Sequence, residues 1–342
     1  MLINNRYYHL LFYKIFRFKW RNPFITLSKI LYKGKDCKRV LGIWDFENGR
    51  TVIGDAIEFQ EILLVVAEEN KIDKIDCCYV NPSVRNFKKN RYQVTDLKTI
   101  DNIIAVTRIN PKIGSVFIFD NNDQFSNYFR KEKHNYIIFP NPYIPFAALS
   151  NNYHLIDFFN KNHYLPKLTS DRPHLEWAYT FIEKHCKDKT PFCVAIRKNR
   201  RDPDRNAPVE EWAKFFKYCN LKYPDFFFII IGSEQEIHPE LLEMKNILFA
   251  KLYDSSLLQD IAIIQSSKVL LAHSSGLSVF PYYIENVPSI SFGEDVSHNH
   301  WGTGHKKGEQ LNYTKENHKI LWGSYNSGDI IKEFDELIKN FF

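Results

Sequence analysis

Short, almost wholly apolar runs alternate along the chain with longer segments whose apolar residues recur every three to four positions. Arg39–Phe46, Ile75–Val80, Ile113–Phe119 and Asn135–Phe139 read as strands. Asp55–Glu68, Leu97–Thr107 and Asp123–Lys131 read as the helices between them. Such alternation implies a mostly parallel sheet. The Pro- and Asn-rich stretch Pro140–Pro166 then separates this half from the next, and the boundary falls near Leu165–Asp171. Beyond a helix over about Pro173–Cys186, the pattern repeats. Phe192–Arg197, Phe226–Gly232 and the short Ile247–Ala250 read as strands, and Val209–Leu221 and Leu257–Gln265 as helices. The stretch Lys268–Gly293 organises the rest: strand Val269–Ala272, tight turn His273-Ser274-Ser275-Gly276, a helical pattern to Asn286, and strand Pro288–Phe292. The tail, Asp329–Asn340, has the spacing of an amphipathic helix.

The expected architecture is α/β, with two doubly wound, Rossmann-like domains facing a cleft. A chain of 342 residues suits two domains better than one core. The expected divisions are a basic aromatic segment over 1–35, a first domain over 36–165, a second over 171–328, and a terminal helix over 329–342.

Charge and cysteine usage narrow the function classes. Lysine and arginine exceed aspartate and glutamate by 6, too small an excess to argue for nucleic acid without a focused patch. The six cysteines form no CxxC pair and read as reduced thiols of a cytoplasmic protein. No run approaches the ~20 apolar residues of a membrane span. Tyr7–Lys35 nevertheless mixes aromatic residues with seven cations and no acid, so it reads either as a membrane-interface segment or as a surface helix packed on its own domain.

Candidate chemistry lies at the carboxyl ends of the strands, where doubly wound folds bind ligands. If Ser274, Ser275 and Gly276 open a helix, its first free N–H groups suit a phosphate; otherwise the serines only cap it. Arg197-Lys198-Asn199-Arg200-Arg201 and Arg205 follow a buried strand. Their crowded cations call for an anion such as a diphosphate, or else for pairing with Asp202, Asp204, Glu210 and Glu211. Gly232-Ser233-Glu234 follows FFFIIIG, and Glu234 could accept a ribose or sugar hydroxyl, unless the three form a plain turn. Asp55, after Gly54, is placed as a general base for an acceptor hydroxyl, or as a carboxylate favoured by a helix N-terminus. Gly49 and Gly54 do not make a dinucleotide fingerprint, which weakens a dehydrogenase reading. His298 and His300, near Asp295, read as sugar or phosphate contacts, a metal pair or a surface loop.

The order of these motifs resembles the GT-B glycosyltransferases, closest in style to the heptosyltransferase-like enzymes of cell-surface polysaccharide synthesis. The resemblance implies that Gly54-Asp55 faces the acceptor, with Asp55 as base. It implies that Ser274, Ser275 and Gly276 contact the diphosphate of a nucleotide-sugar donor. The family has an Asp shortly before its Ser-Gly; here His273 stands before the serines. The run RNRRDPDRNAPVEEW also resembles a stretch of bacterial proteins related to such transferases. The implied activity is metal-independent, inverting transfer to a glycan or lipid-linked acceptor. Donor contacts would be Arg197, Arg200, Arg205, Gly232, Ser233, Glu234 and His273–Gly276. No cofactor is expected, since the nucleotide-sugar is a substrate. The basic N-terminus would hold the enzyme at the inner membrane face. Two rivals are a binding protein without turnover and a nucleotide-dependent epimerase of the same fold.

Overall fold

The computed structural model describes residues 37–46, 52–82, 97–140, 153–199, 203–294, 308–314 and 317–341. The N-terminal segment 1–36, Arg200, His298 and His300 lie outside them.

The first half is built on β1 (Arg39–Asp45), β2 (Ile75–Val80), β3 (Ile113–Phe119) and β4 (Tyr136–Phe139), all parallel, in the order β3-β2-β1-β4. Helices α1 (Ile53–Glu69), α2 (Leu97–Ala105) and α3 (Asn122–Glu132) lie between the strands, and α4 (Tyr153–Asn162) follows them. The second half holds β5 (Thr190–Ala195), β6 (Phe226–Ile231), β7 (Ile247–Phe249), β8 (Leu270–His273), β9 (Ser289–Glu294) and β10 (His318–Trp322). They form a parallel sheet in the order β10-β9-β8-β5-β6-β7. Its helices are α5 (Arg172–Cys186), α6 (Val209–Lys222), α7 (Leu257–Ser266) and α8 (Ser327–Phe341). Read from the β7 edge, the second sheet has the dinucleotide-fold order, whose direction reverses between β5 and β8. The first sheet reverses between β1 and β4. Each reversal opens a crevice at the strands' carboxyl ends.

Helix α1 explains how the halves join. Twelve of its seventeen residues are buried, which leaves it little polar face. A helix apolar nearly all round must be covered on more than one side. Here α1 packs against the first sheet, α4, and the turn at Phe280–Tyr283 of the second half. The resulting apolar cluster runs from Val40 and Phe59 through Ile261 and Tyr283 to Ile320, so one core spans the junction. A second cluster fills the outer face of the second sheet, where Phe334 of α8 meets Phe192, Phe215 and Phe228. Each buried ring of this kind is worth roughly 1.5–3 kcal/mol.

Three elements differ from the sequence expectation. The stretch expected to be linker holds α4, which buries Leu155 and Phe158 against the core. Strand β10 was not foreseen, because HKILW is short and half polar. Most consequentially, no α-helix runs from Gly276 to Asn286. Residues 274–279 form turns, and only Phe280–Tyr283 is helical, as a single 3₁₀ turn. The cause is local. Pro281 has no N–H and crowds the carbonyl four residues back. Ser278 Oγ donates to the Ser275 carbonyl at 2.7 Å and accepts from the Ser275 N–H at 3.4 Å, competing with α-helical bonding. The remaining bonds run to the third residue back: Ser278 N–H to Ser275, Phe280 to Leu277, Tyr282 to Val279.

Candidate functional site

The two halves meet at two glycines. A methyl group on Gly276 would lie 2.9 Å from the Gly54 nitrogen and 3.1 Å from Ile53 Cβ. A methyl on Gly54 would meet the Gly276 Cα at 3.3 Å. The start of α1 and the turn after β8 are therefore in backbone contact, and Asp55 is one residue from the crossing. The structure thus brings Gly54-Asp55 and Ser274-Ser275-Gly276 together. Ser274 is buried and its N–H donates to the Phe292 carbonyl at 2.8 Å. The Ser275 hydroxyl is buried with no hydrogen-bond partner among the described residues.

Arg205 joins this turn from β5. Its Nη2 lies 3.5 Å from Ser274 Oγ. The loop that carries it is closed at its base. The Ala207 N–H donates to the Arg197 carbonyl at 3.0 Å, and the Asn199 N–H donates to Asn206 Oδ1 at 2.6 Å. Arg197 and Arg205 are thereby fixed on the two arms of one loop, over the β5–β8 crevice.

His273 lies behind the site. Its Nε2 is 2.9 Å from the Arg205 carbonyl, and its Nδ1 is 2.8 Å from the Tyr325 hydroxyl. Both nitrogens are spent, so the ring has none left for the donor contact that the sequence suggested. Burial pushes its pKa down to about 4, and the nearby Arg197 and Arg205 add to the fall. The imidazole is neutral.

The Gly-Ser-Glu segment after β6 also departs from expectation. Gly232 has φ +134°, and the Glu236 carboxylate fills the space that a side chain there would need. The glycine makes room for Glu236. Ser233 and Glu236 form a reciprocal capping box, with the Ser233 N–H donating to Glu236 Oε2 at 2.6 Å. Glu234 points away to Lys98 of α2 at 2.8 Å, which draws its pKa down to about 2. It ties the halves together on the outside.

Two further carboxylates lie at the Gly232 turn. Glu236 is half-buried facing Arg197 and the Lys198 N–H. Asp260, at the start of α7, accepts the Gly232 N–H at 3.2 Å, and burial lifts its pKa to about 7. Each had a legible signal: Glu236 closes the S-x-x-E of a capping box, and Asp260 interrupts the apolar run LLQDIAII. Among the described residues no group of three or more His, Cys, Asp or Glu could hold a metal, and no helix is long and apolar enough to cross a membrane.

No protein-family model matches the sequence, and no curated protein is similar to it at a significant level. The architecture is similar to that of a glycosyl transferase family 9 protein from Veillonella parvula. The TM-score is 0.55 at 12% identity, over 88% of this chain and 90% of that one. The fold is GT-B. An E. coli heptosyltransferase, WaaC with ADP, aligns at 11% identity over 89% of this chain and 99% of its own, with a TM-score of 0.49. In the GT-B frame the glycine crossing joins the two domains, and the β5–β8 crevice belongs to the second.

Proposed function

We propose that this protein is a glycosyltransferase that moves a sugar from a nucleoside-diphosphate sugar to a hydroxyl of a cell-surface glycan or a lipid-linked acceptor. One observation carries the reading: the Gly54–Gly276 contact brings the start of α1, with Asp55 next in the chain, against the turn whose Ser274 Oγ lies 3.5 Å from Arg205. Asp55 takes the proton from the acceptor hydroxyl as that oxygen attacks the anomeric carbon. The bond from that carbon to the diphosphate oxygen breaks, and the diphosphate leaves with its charge balanced by Arg197 and Arg205. The Ser275 hydroxyl, without a hydrogen-bond partner among the described residues, supports an oxygen-rich ligand at the turn. A single displacement of this kind inverts the anomeric centre and draws its positive charge from guanidinium groups rather than a metal. The transferred sugar is of the hexosyl or heptosyl type. The basic aromatic segment 7–35 would hold the protein at the cytoplasmic membrane face, close to a lipid-linked acceptor.

A second reading, a GT-B protein that binds without turnover, is favoured by the 274–286 segment, which lacks the α-helix whose N-terminus would have met the diphosphate.

The test is a thermal-shift panel of UDP, GDP, CDP, ADP and CMP with their sugars, followed by a transfer assay. A raised midpoint with one nucleotide names the base. Arg197→Ala should abolish that response. Asp55→Asn should lower turnover while leaving donor affinity unchanged. Flat responses from folded protein would sink the donor site, and nucleotide binding without donor hydrolysis or transfer would select the second reading.

A further inference from the structure

The Arg205 turn is held by a chain of three side chains from three other segments, Trp212 and His273 buried and Tyr325 half-buried. Trp212, in the first turn of α6, donates its Nε1–H to the Tyr325 hydroxyl at 2.9 Å. Tyr325, between β10 and α8, lies 2.8 Å from His273 Nδ1. His273, at the end of β8, reaches the Arg205 carbonyl through Nε2 at 2.9 Å. The chain has one consistent direction. A carbonyl oxygen only accepts, so Nε2 carries the hydrogen. A neutral imidazole then has its lone pair on Nδ1, which must accept from the Tyr325 O–H. The tyrosine oxygen in turn accepts from Trp212. Each donor is used once, and the tautomer is fixed.

Close neighbours restrict the ring. Gly293 has φ +71°, and any side chain there would strike His273 Cε1. Phe292 packs against both Trp212 and Tyr325, with ring centroids 5.7 and 5.2 Å away. Burial strengthens bonds of this kind and makes an unmade one costly.

We propose that Trp212, Tyr325 and His273 form a positioning relay that holds the Arg205 turn in register with Ser274, so that the guanidinium is in place before an anion arrives. The inference rests on the donor site proposed above. None of the three touches the reacting atoms; they act through the Arg205 backbone. The expected gain is preorganisation: without the relay, binding must also order the turn.

Tyr325→Phe tests this, because it removes one oxygen and keeps the ring packing. Two readouts are taken on the full chain: the Kd for whichever of UDP, GDP, CDP and ADP binds best, and hydrogen exchange over 203–207 compared with β5. The expected result is about 10-fold weaker nucleotide binding, faster exchange at 203–207, and unchanged exchange in β5. His273→Ala should behave likewise, and His273→Gln, which keeps an N–H donor near Nε2, should recover most of the affinity. Unchanged affinity and unchanged local exchange in a folded Tyr325→Phe would overturn the relay. Faster exchange throughout would also overturn it, marking a general packing role. If the wild type binds none of the four nucleotides, the donor reading falls, and the exchange comparison alone decides whether the relay stands.

Discussion

Gly276→Ala is the sharpest perturbation of the domain crossing. Its new methyl would sit 2.9 Å from the Gly54 nitrogen and 3.1 Å from Ile53 Cβ, closer than side-chain carbons normally come. Both obstacles belong to the first turn of α1, a helix buried on most sides, so neither can give way as a flexible side chain would. Inserting one carbon into a packed site of this kind costs typically 1–3 kcal/mol. Gly54→Ala is the built-in control. Its methyl would meet Gly276 Cα at 3.3 Å and the Gly276 carbonyl at 3.4 Å, a tight but tolerable fit. An alanine inside a helix also recovers about 0.5–1 kcal/mol over glycine, which offsets much of that crowding. Urea unfolding at pH 7 should therefore give Gly276→Ala a loss of about 2 kcal/mol and Gly54→Ala a change within about 1 kcal/mol. The assay is a pair of equilibrium curves fitted by linear extrapolation. A Gly276→Ala protein as stable as the wild type, with an unchanged m-value, would refute the claim that the two backbones touch.

Three further outcomes follow from buried groups. Asp76 is fully buried, with Arg39 Nη2 at 2.5 Å, the Ser115 N–H at 2.7 Å and the Tyr136 hydroxyl at 3.0 Å, so Asp76→Ala should cost on the order of 3–5 kcal/mol in urea unfolding. His273 titrates at about 4 instead of its ordinary 6.5, so the unfolded chain binds the extra proton between those values. Stability that is complete above pH 6.5 should then fall as the pH drops, by roughly 3 kcal/mol by pH 4, and the slope should shrink in His273→Gln. Glu61 is buried without a hydrogen-bond partner among the described residues and burial pushes its pKa well up, so its neutral form is favoured in the fold. Glu61→Gln should raise Tm at pH 8 and lose that advantage toward pH 4.5, as calorimetry across pH would show.

Much of the fold was legible because strand and helix periods are written in short windows. FFFIII and LLQDIAII carry their own burial, and their alternation fixed the α/β class. The strand order was not legible, since parallel pairing depends on contacts far apart in sequence. The helix expected after Ser275 failed at Pro281, a visible breaker outweighed by the apolar spacing of LSVFPYYI. At the candidate site, Gly54-Asp55, Arg205 and Ser274–Gly276 were singled out from their places at strand ends, and the structure brings these segments close together. Glu234 and His273 have protein partners that the sequence did not show, because residue type does not show which way a side chain points. Glu234 could bind a hydroxyl or a lysine, and it bonds Lys98. His273 could face a ligand or a carbonyl, and it faces Arg205.

The loss of the helix after Ser275 shifts the electrostatics of the proposed donor site. A helix N-terminus supplies about half a positive charge, fixed in the backbone. The turn at 274–279 supplies no macrodipole, so compensation for a leaving diphosphate must come from side chains. The loop after β5 has the composition for that, with five cations between Arg197 and Arg205 against Asp202 and Asp204. Guanidinium charges on a loop are nearer to water than a helix axis is, and mobile ions screen them more. On this reading donor affinity should fall steeply with ionic strength, and Arg205→Lys, which loses the planar fork, should cost more than loss of a single hydrogen bond. Mutually repelling cations also need a scaffold that keeps them close when no anion is bound. Glu236 facing Arg197 and the His273 bond to the Arg205 carbonyl supply it. The carboxylate and the imidazole that look misplaced for ligand contact are therefore where an arginine-dependent anion site needs them.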